Sequence, residues 1–193
     1  MARIQRNKQL RPLHLFICED SKSSKYYMLG LGRAKGINIK AEKADGTSPE
    51  NVLRSAKEKQ KLFKDKGIVQ IYCLFDKDDC DDEKFKKVVT QCQKAGFVEA
   101  VSVPCYEYWL LLHFKRTNQP FRDAQECCET FRAEYNKKFQ TQYTVKQLKA
   151  KTDIFNDLKN NLDSAIANAD NLELEETVCP YTNMHQVIKG ILG

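Results

Sequence analysis

The stretch Ile68-Val-Gln-Ile-Tyr-Cys-Leu-Phe75 constrains the fold of this chain more than any other. It is the clearest strand in the sequence, and it runs straight into Asp76-Lys-Asp78-Asp79-Cys-Asp81-Asp82. Leu13–Glu19 repeats the design, a continuous apolar run that ends in a carboxylate. Runs of this kind belong to parallel strands buried on both faces, so the chain must also supply helices to cover them.

The intervening segments have the required character. Ser21-Lys-Ser-Ser opens a helix that continues to about Ala34, with hydroxyls at N-cap positions, and Gly36 stops it. Ile37–Lys43 alternates apolar and polar residues, as a more exposed strand does. After the turn at Asp45-Gly-Thr, Ser48 caps a second helix with Pro49 at its first position. Val52, Leu53, Ala56, Gln60 and Phe63 trace one face of that helix, which ends by Gly67. A third helix covers about Glu83–Ala95, and Val98–Val103 forms a fourth strand before Pro104. Strand–helix alternation at this period predicts an α/β fold, a parallel sheet with crossover helices.

Beyond Pro104 the pattern turns helical. Tyr106–Phe114 reads as a buried helix, and segments 122–139, 153–169 and 183–192 each repeat apolar residues at helical spacing. The expected organisation is a basic arm over 1–12, an α/β core over 13–114, and a mainly helical extension over 115–193 packed on that core.

Composition limits the function classes. The 193 residues suit one domain, and a chain 41% hydrophobic should fold without disulfides or a structural metal. The N-terminus is basic but lacks a following apolar stretch, and no segment is long enough to cross a bilayer. A soluble, cytoplasmic protein is expected. The eight cysteines contain no Cys-x-x-Cys, and Cys127–Cys128 is a vicinal pair, so reduced thiols are expected rather than a zinc framework. The net charge of +6 is uneven. Arg3, Arg6, Lys8 and Arg11 stand without an acid in the first twelve residues, whereas seven acids face Lys151 and Lys159 over 151–178. Such asymmetry suits a polyanionic partner on one side of the molecule, and ordinary solubilising charge as well.

Chemistry in an open parallel sheet collects at the C-terminal strand ends. Alternate residues of an extended chain point the same way, so Asp76 and Asp78 can address one point, and Glu19 joins them if the two strands are neighbours. Carboxylates crowded there need a cation, and hard oxygen ligands suit Mg²⁺ or Mn²⁺ bound to phosphate. Acid-rich turns after strands also serve simply to start helices, which is the role expected of Asp79, Asp81 and Asp82. Competing motifs fit poorly. A calcium loop starting at Asp76 would need Gly and Glu where Asp81 and Lys87 stand. Cys80 occupies the position at which haloacid-dehalogenase phosphatases carry Thr or Val, and Gly30-Leu-Gly32 lies late in a helix, where it cradles no phosphate.

A strand ending in Glu followed by a strand ending in Asp-x-Asp resembles the Toprim domain of topoisomerases, primases and related nucleases. Four stretches sharpen the likeness: Phe16-Ile-Cys-Glu19-Asp-Ser-Lys-Ser-Ser-Lys-Tyr-Tyr27, Leu74-Phe-Asp76-Lys-Asp78-Asp79, Pro104-Cys-Tyr-Glu107-Tyr-Trp-Leu-Leu-Leu-His113-Phe, and Pro180-Tyr-Thr-Asn-Met-His185. Their order and spacing resemble the RloB-like family over almost the whole chain. Asp20-Ser21 departs from the usual Gly-Glu after the first Glu.

The resemblance implies a Toprim-like parallel sheet flanked by helices, with a helical C-terminal part. It also implies a place in bacterial restriction or abortive-infection loci, often beside an ATPase partner. By the same resemblance Glu19 is the proton-transfer or metal-edge carboxylate, and Asp76 and Asp78 are metal ligands. Glu107 is either a further ligand or a cap for the Trp109 helix. Lys22, Lys25 and Lys77, with Arg3 and Arg6 of the arm, are candidates for phosphate contact, each of which also reads as ordinary surface charge. His113 and His185 are the histidines of the family-like stretches, and both also read as structural. The implied activity is Mg²⁺-dependent (or Mn²⁺-dependent) hydrolysis of nucleic acid, DNA or RNA. The alternative is a non-catalytic metal- or nucleic-acid-binding module that works only with its ATPase partner.

Overall fold

A computed structural model of the protein describes residues 12–19, 22–63, 68–77, 80–172 and 179–193. Five strands form one sheet in the order β2-β1-β3-β4-β5. They are β1 (Leu13–Cys18), β2 (Ile39–Lys43), β3 (Ile68–Asp76), β4 (Val98–Val103) and the short β5 (Tyr181–Thr182). The first four run parallel, and β5 joins β4 antiparallel. The chain is therefore α/β, as its alternation predicts.

The period-two alternation of the buried strands sorts their side chains into two cores. Leu15 and Ile17 of β1, with Ile71, Cys73 and Phe75 of β3, pack against α2 (Pro49–Leu62) and α3 (Asp82–Lys94). Phe16 and Cys18, with Tyr72 and Leu74, face the opposite side. There they meet α1 (Ser23–Lys35), α4 (Glu107–Leu111) and the C-terminal helices α5 (Ala124–Phe139), α6 (Val145–Lys149), α7 (Ile154–Leu158), α8 (Leu162–Asp170) and α9 (Met184–Leu192). The three-layer sandwich thus explains why residues 15–18 and 71–75 are apolar on both faces.

The turn chemistry is mostly where the sequence puts it. Gly36 ends α1 in the left-handed region at φ 67°, and the Ser48 hydroxyl accepts from the Asn51 amide with Pro49 inside the first turn of α2. The start of α1 differs: its N-cap is Lys22, without a capping side chain. The expected end of α2 at Gly67 lies outside the described residues; the helix runs to Leu62. Two further differences lie in the C-terminal part. The helical pattern over 153–169 is interrupted by a 3-10 turn at Lys159–Asn161, and β5 extends the sheet from a segment whose two residues carry no strand periodicity.

Candidate active site at the strand ends

The strand order reverses between β1 and β3. From β1 the chain leaves through α1 on one face of the sheet, and from β3 it leaves through α3 on the other. The two crossovers diverge at the C-terminal ends of these two strands, the position of the ligand crevice in open α/β sheets.

Glu19 and Asp76 occupy that position. The β1–β3 register pairs Cys18 with Leu74, so the residue after β1 and the last residue of β3 come out side by side. The Asp76 amide donates to Glu19 Oε2 at 3.2 Å, which anchors the Glu19 carboxylate on the end of the neighbouring strand. Both residues are half-buried. A backbone-to-side-chain hydrogen bond thus joins two residues 57 positions apart in the chain. Asp78 and Asp79, like Arg3 and Arg6 of the basic arm, lie outside the described residues.

The lysines around these strand ends differ in their engagement. Lys77 is largely buried, its side chain 13% exposed, and its ammonium lies 2.6 Å from Asp82 Oδ1. Lys22 is exposed at the N-terminus of α1, and Lys25 is half-buried one turn on. Asp81 serves the backbone, its Oδ1 accepting from the Glu83 and Lys84 amides at 3.1 Å each as the N-cap of α3.

Glu107 is the first residue of α4 and is only 2% exposed. It does not cap its own helix with its side chain. Its Oε1 accepts from Ser23 Oγ at 2.7 Å and lies 3.5 Å from Lys149 Nζ. The carboxylate is thereby tied to the first turn of α1, four residues beyond Glu19. Its ligand atom lies within 4.8 Å of those of Cys105 and Cys128, and all three residues are buried. Among the described residues no such group of three contains Glu19 or Asp76. Burial opposes the Lys149 charge, but the Glu107 carboxylate more than offsets it and holds the lysine above its ordinary pKa.

The two histidines stand elsewhere. His113 is buried between α4 and α1, with Nε2 3.0 Å from the Tyr27 hydroxyl and Nδ1 3.2 Å from the Trp109 carbonyl. His185 opens α9, and its Nε2 lies 3.6 Å from Asp170 Oδ1. Because β5 is antiparallel, the chain after Thr182 heads toward the opposite sheet edge from Glu19. Asn183 marks that path by accepting from the Val101 amide and donating to the Glu99 carbonyl. His185 lines a separate cavity of about 240 Å³ between α8, β5 and α9, together with Tyr108, Asp170 and Thr182.

Of the residues that surround Glu107, Cys105 lies in a family-like stretch without a role of its own, and Cys128 and Lys149 carry no signal in the sequence. The three come from the β4–α4 turn, α5 and α6, and no fixed spacing links them. No curated protein and no solved structure matches the chain. A match to the family described as RloB-like protein spans residues 14–191, which includes both strand-end acids, Glu107 and both histidines. With nearly its whole length covered by that match, the chain belongs to the RloB-like family.

Proposed function

We propose that the protein is a Mg²⁺-dependent nuclease of the Toprim type that cleaves nucleic acid in defence against phage. The observation that carries this reading is the contact between Glu19 and the Asp76 amide at the topological switch point. The acids there offer only oxygen donors, and a set of that kind fits Mg²⁺ or Mn²⁺. Asp76 would hold the ion together with Asp78. A bound Mg²⁺ supplies Lewis-acid polarisation of a phosphodiester oxygen and makes a bound water more acidic.

The chain's own residues then have separable tasks. Glu19, anchored by the Asp76 amide, accepts the proton of the attacking water. Lys22 and Lys25, at the start of α1, reach phosphates beside the strand ends, and Lys77 joins them by exchanging Asp82 for phosphate. Arg3 and Arg6 of the basic arm add contacts to the backbone of the polymer without reading its sequence. Glu107, through Ser23, positions the first turn of α1 and with it those lysines. An ATPase partner, expected from the family's loci, would govern when cleavage occurs in the cytoplasm.

The test is incubation of the purified chain with single- and double-stranded DNA and with RNA, in Mn²⁺ and in Mg²⁺. Glu19→Gln keeps an acceptor for the Asp76 amide, so it should fold normally yet lose at least about a hundredfold in cleavage. Asp76→Ala should lose metal-dependent turnover altogether. Wild-type rates in either variant would remove the reading. Cleavage that appears only with a co-purifying ATPase would instead favour the binding-module alternative.

A further inference from the structure

The buried cluster around Glu107 has the composition and spacing of a second, chemically different site. Cys105 and Cys128 are each 3% exposed and Glu107 2%, and their sulfurs lie 3.9 Å apart. Two thiolates sharing one tetrahedral Zn²⁺ at about 2.3 Å each would be about 3.8 Å apart. We propose that Cys105, Cys128 and Glu107 bind one Zn²⁺-like divalent cation, with Lys149 as its charge partner. The pair of sulfurs excludes Mg²⁺ and selects a borderline-soft ion. The cluster is therefore independent of the strand-end acids.

Charge accounting supports the assignment. Without an ion, the Glu107 carboxylate and the Lys149 ammonium neutralise each other while both thiols keep their protons. With a divalent ion, two thiolates and one carboxylate leave a single negative charge, which Lys149 again cancels. Burial is thus tolerable in both states, and binding exchanges two protons for the cation. The Ser23 hydroxyl, donating to Glu107 Oε1, fixes the carboxylate as outer-shell partners of metal ligands do. Lys149, about a third exposed at 35%, links the buried cluster to the surface, and a water from that side would complete the coordination.

Such a site would also explain why the vicinal cysteines lie inward. Cys127 and Cys128 are both buried on α5, against the β4–α4 turn that carries Cys105 and Glu107. An ion there would clamp the helical extension to the sheet. Through Ser23 it would also brace the first turn of α1. The ligands come from the β4–α4 turn, the start of α4 and α5, so no Cys-x-x-Cys spacing marks the cluster, and all eight cysteines are free thiols.

The experiment uses the full chain purified under reducing conditions. Elemental analysis should find a single equivalent of zinc, as isolated or after Zn²⁺ addition and desalting. Replacement by Co²⁺ should give the near-ultraviolet thiolate charge-transfer band and the visible bands of a tetrahedral site. Cys105→Ser and Cys128→Ser should each abolish the charge-transfer spectrum or shift it strongly. Lys149→Met, which leaves every ligand in place, should weaken Zn²⁺ affinity at least about tenfold in a chelator competition. Because the serine variants touch the core, the wild-type Co²⁺ spectrum decides alone if they fail to fold. Wild-type protein that takes up no zinc and shows no cobalt–thiolate band overturns the proposal, and so does a Cys105–Cys128 disulfide in the freshly isolated chain.

Discussion

A neutral imidazole is fully satisfied when one ring nitrogen meets an acceptor and the other a donor, and the surroundings of His113 provide that pair. The Trp109 carbonyl can only accept, so Nδ1 carries the hydrogen and Nε2 takes the Tyr27 O–H. Burial pushes the His113 pKa from 6.5 down to about 4, with no carboxylate to hold it up. The unfolded chain therefore binds this proton between about pH 6.5 and 4 while the folded chain does not. The stabilisation is complete above pH 6.5 and lost as the pH falls through that window, by roughly 3 kcal/mol in all. Urea unfolding at pH 7 and pH 4.5 should show a shallower pH dependence for His113→Gln than for the wild type. Identical slopes would mean that another group carries the transition. This histidine supports α1 against α4, and its family-like surroundings reflect that packing.

Within the elements, the acid-rich turn after β3 divides its labour. Asp81 caps α3 through two amides, while Asp82 and Glu83 place negative charge in the first turn of that helix. Asp81→Ala should cost about 1 kcal/mol in urea unfolding and leave the proposed metal-dependent cleavage in place. A loss of cleavage with unchanged stability would move Asp81 from the helix to the site. The break between α7 and α8 is a second case of local needs meeting tertiary ones. Asn161 donates to the His113 carbonyl at 2.9 Å and Asn168 to that of Leu112 at 2.8 Å, satisfying the backbone where α4 ends. A continuous helix over 153–169 is what the apolar spacing alone predicts, since the spacing holds no record of those carbonyls.

At the scale of the whole molecule, the helical extension is locked to the sheet layer by close approach. A Cβ added to Gly30 of α1 would lie 2.5 Å from Cβ of Phe155 on α7, and one on Gly32 would lie 2.9 Å from Cβ of Ile39. Alanine is the better helix former by about 1 kcal/mol, yet here it would overpack two rigid stems. Gly30→Ala should therefore lower the urea midpoint, with a net loss of about 1–2 kcal/mol. A rise in the midpoint would show that α7 can shift away from α1 without cost. In the bare sequence the same pair of glycines lies late in a helix, where it cradles no phosphate. Its actual use is to let two helices and a strand meet.

What the sequence determined by itself was whatever depends on neighbours in the chain. Apolar runs buried on both faces made β1, β3 and β4 legible, Ser48-Pro49 and Gly36 marked helix ends, and the acids closing β1 and β3 pointed to the C-terminal strand ends. Only the tertiary structure decided which distant groups share a space. It brought Glu19 onto the Asp76 amide, buried Glu107 between Ser23 and Lys149, and carried His185 to the far edge on an antiparallel strand. It also gathered Cys105 and Cys128 from a turn and a helix. Periodicity encodes which face of an element is buried, whereas contacts between elements depend on strand order and crossover, and no local spacing carries that information.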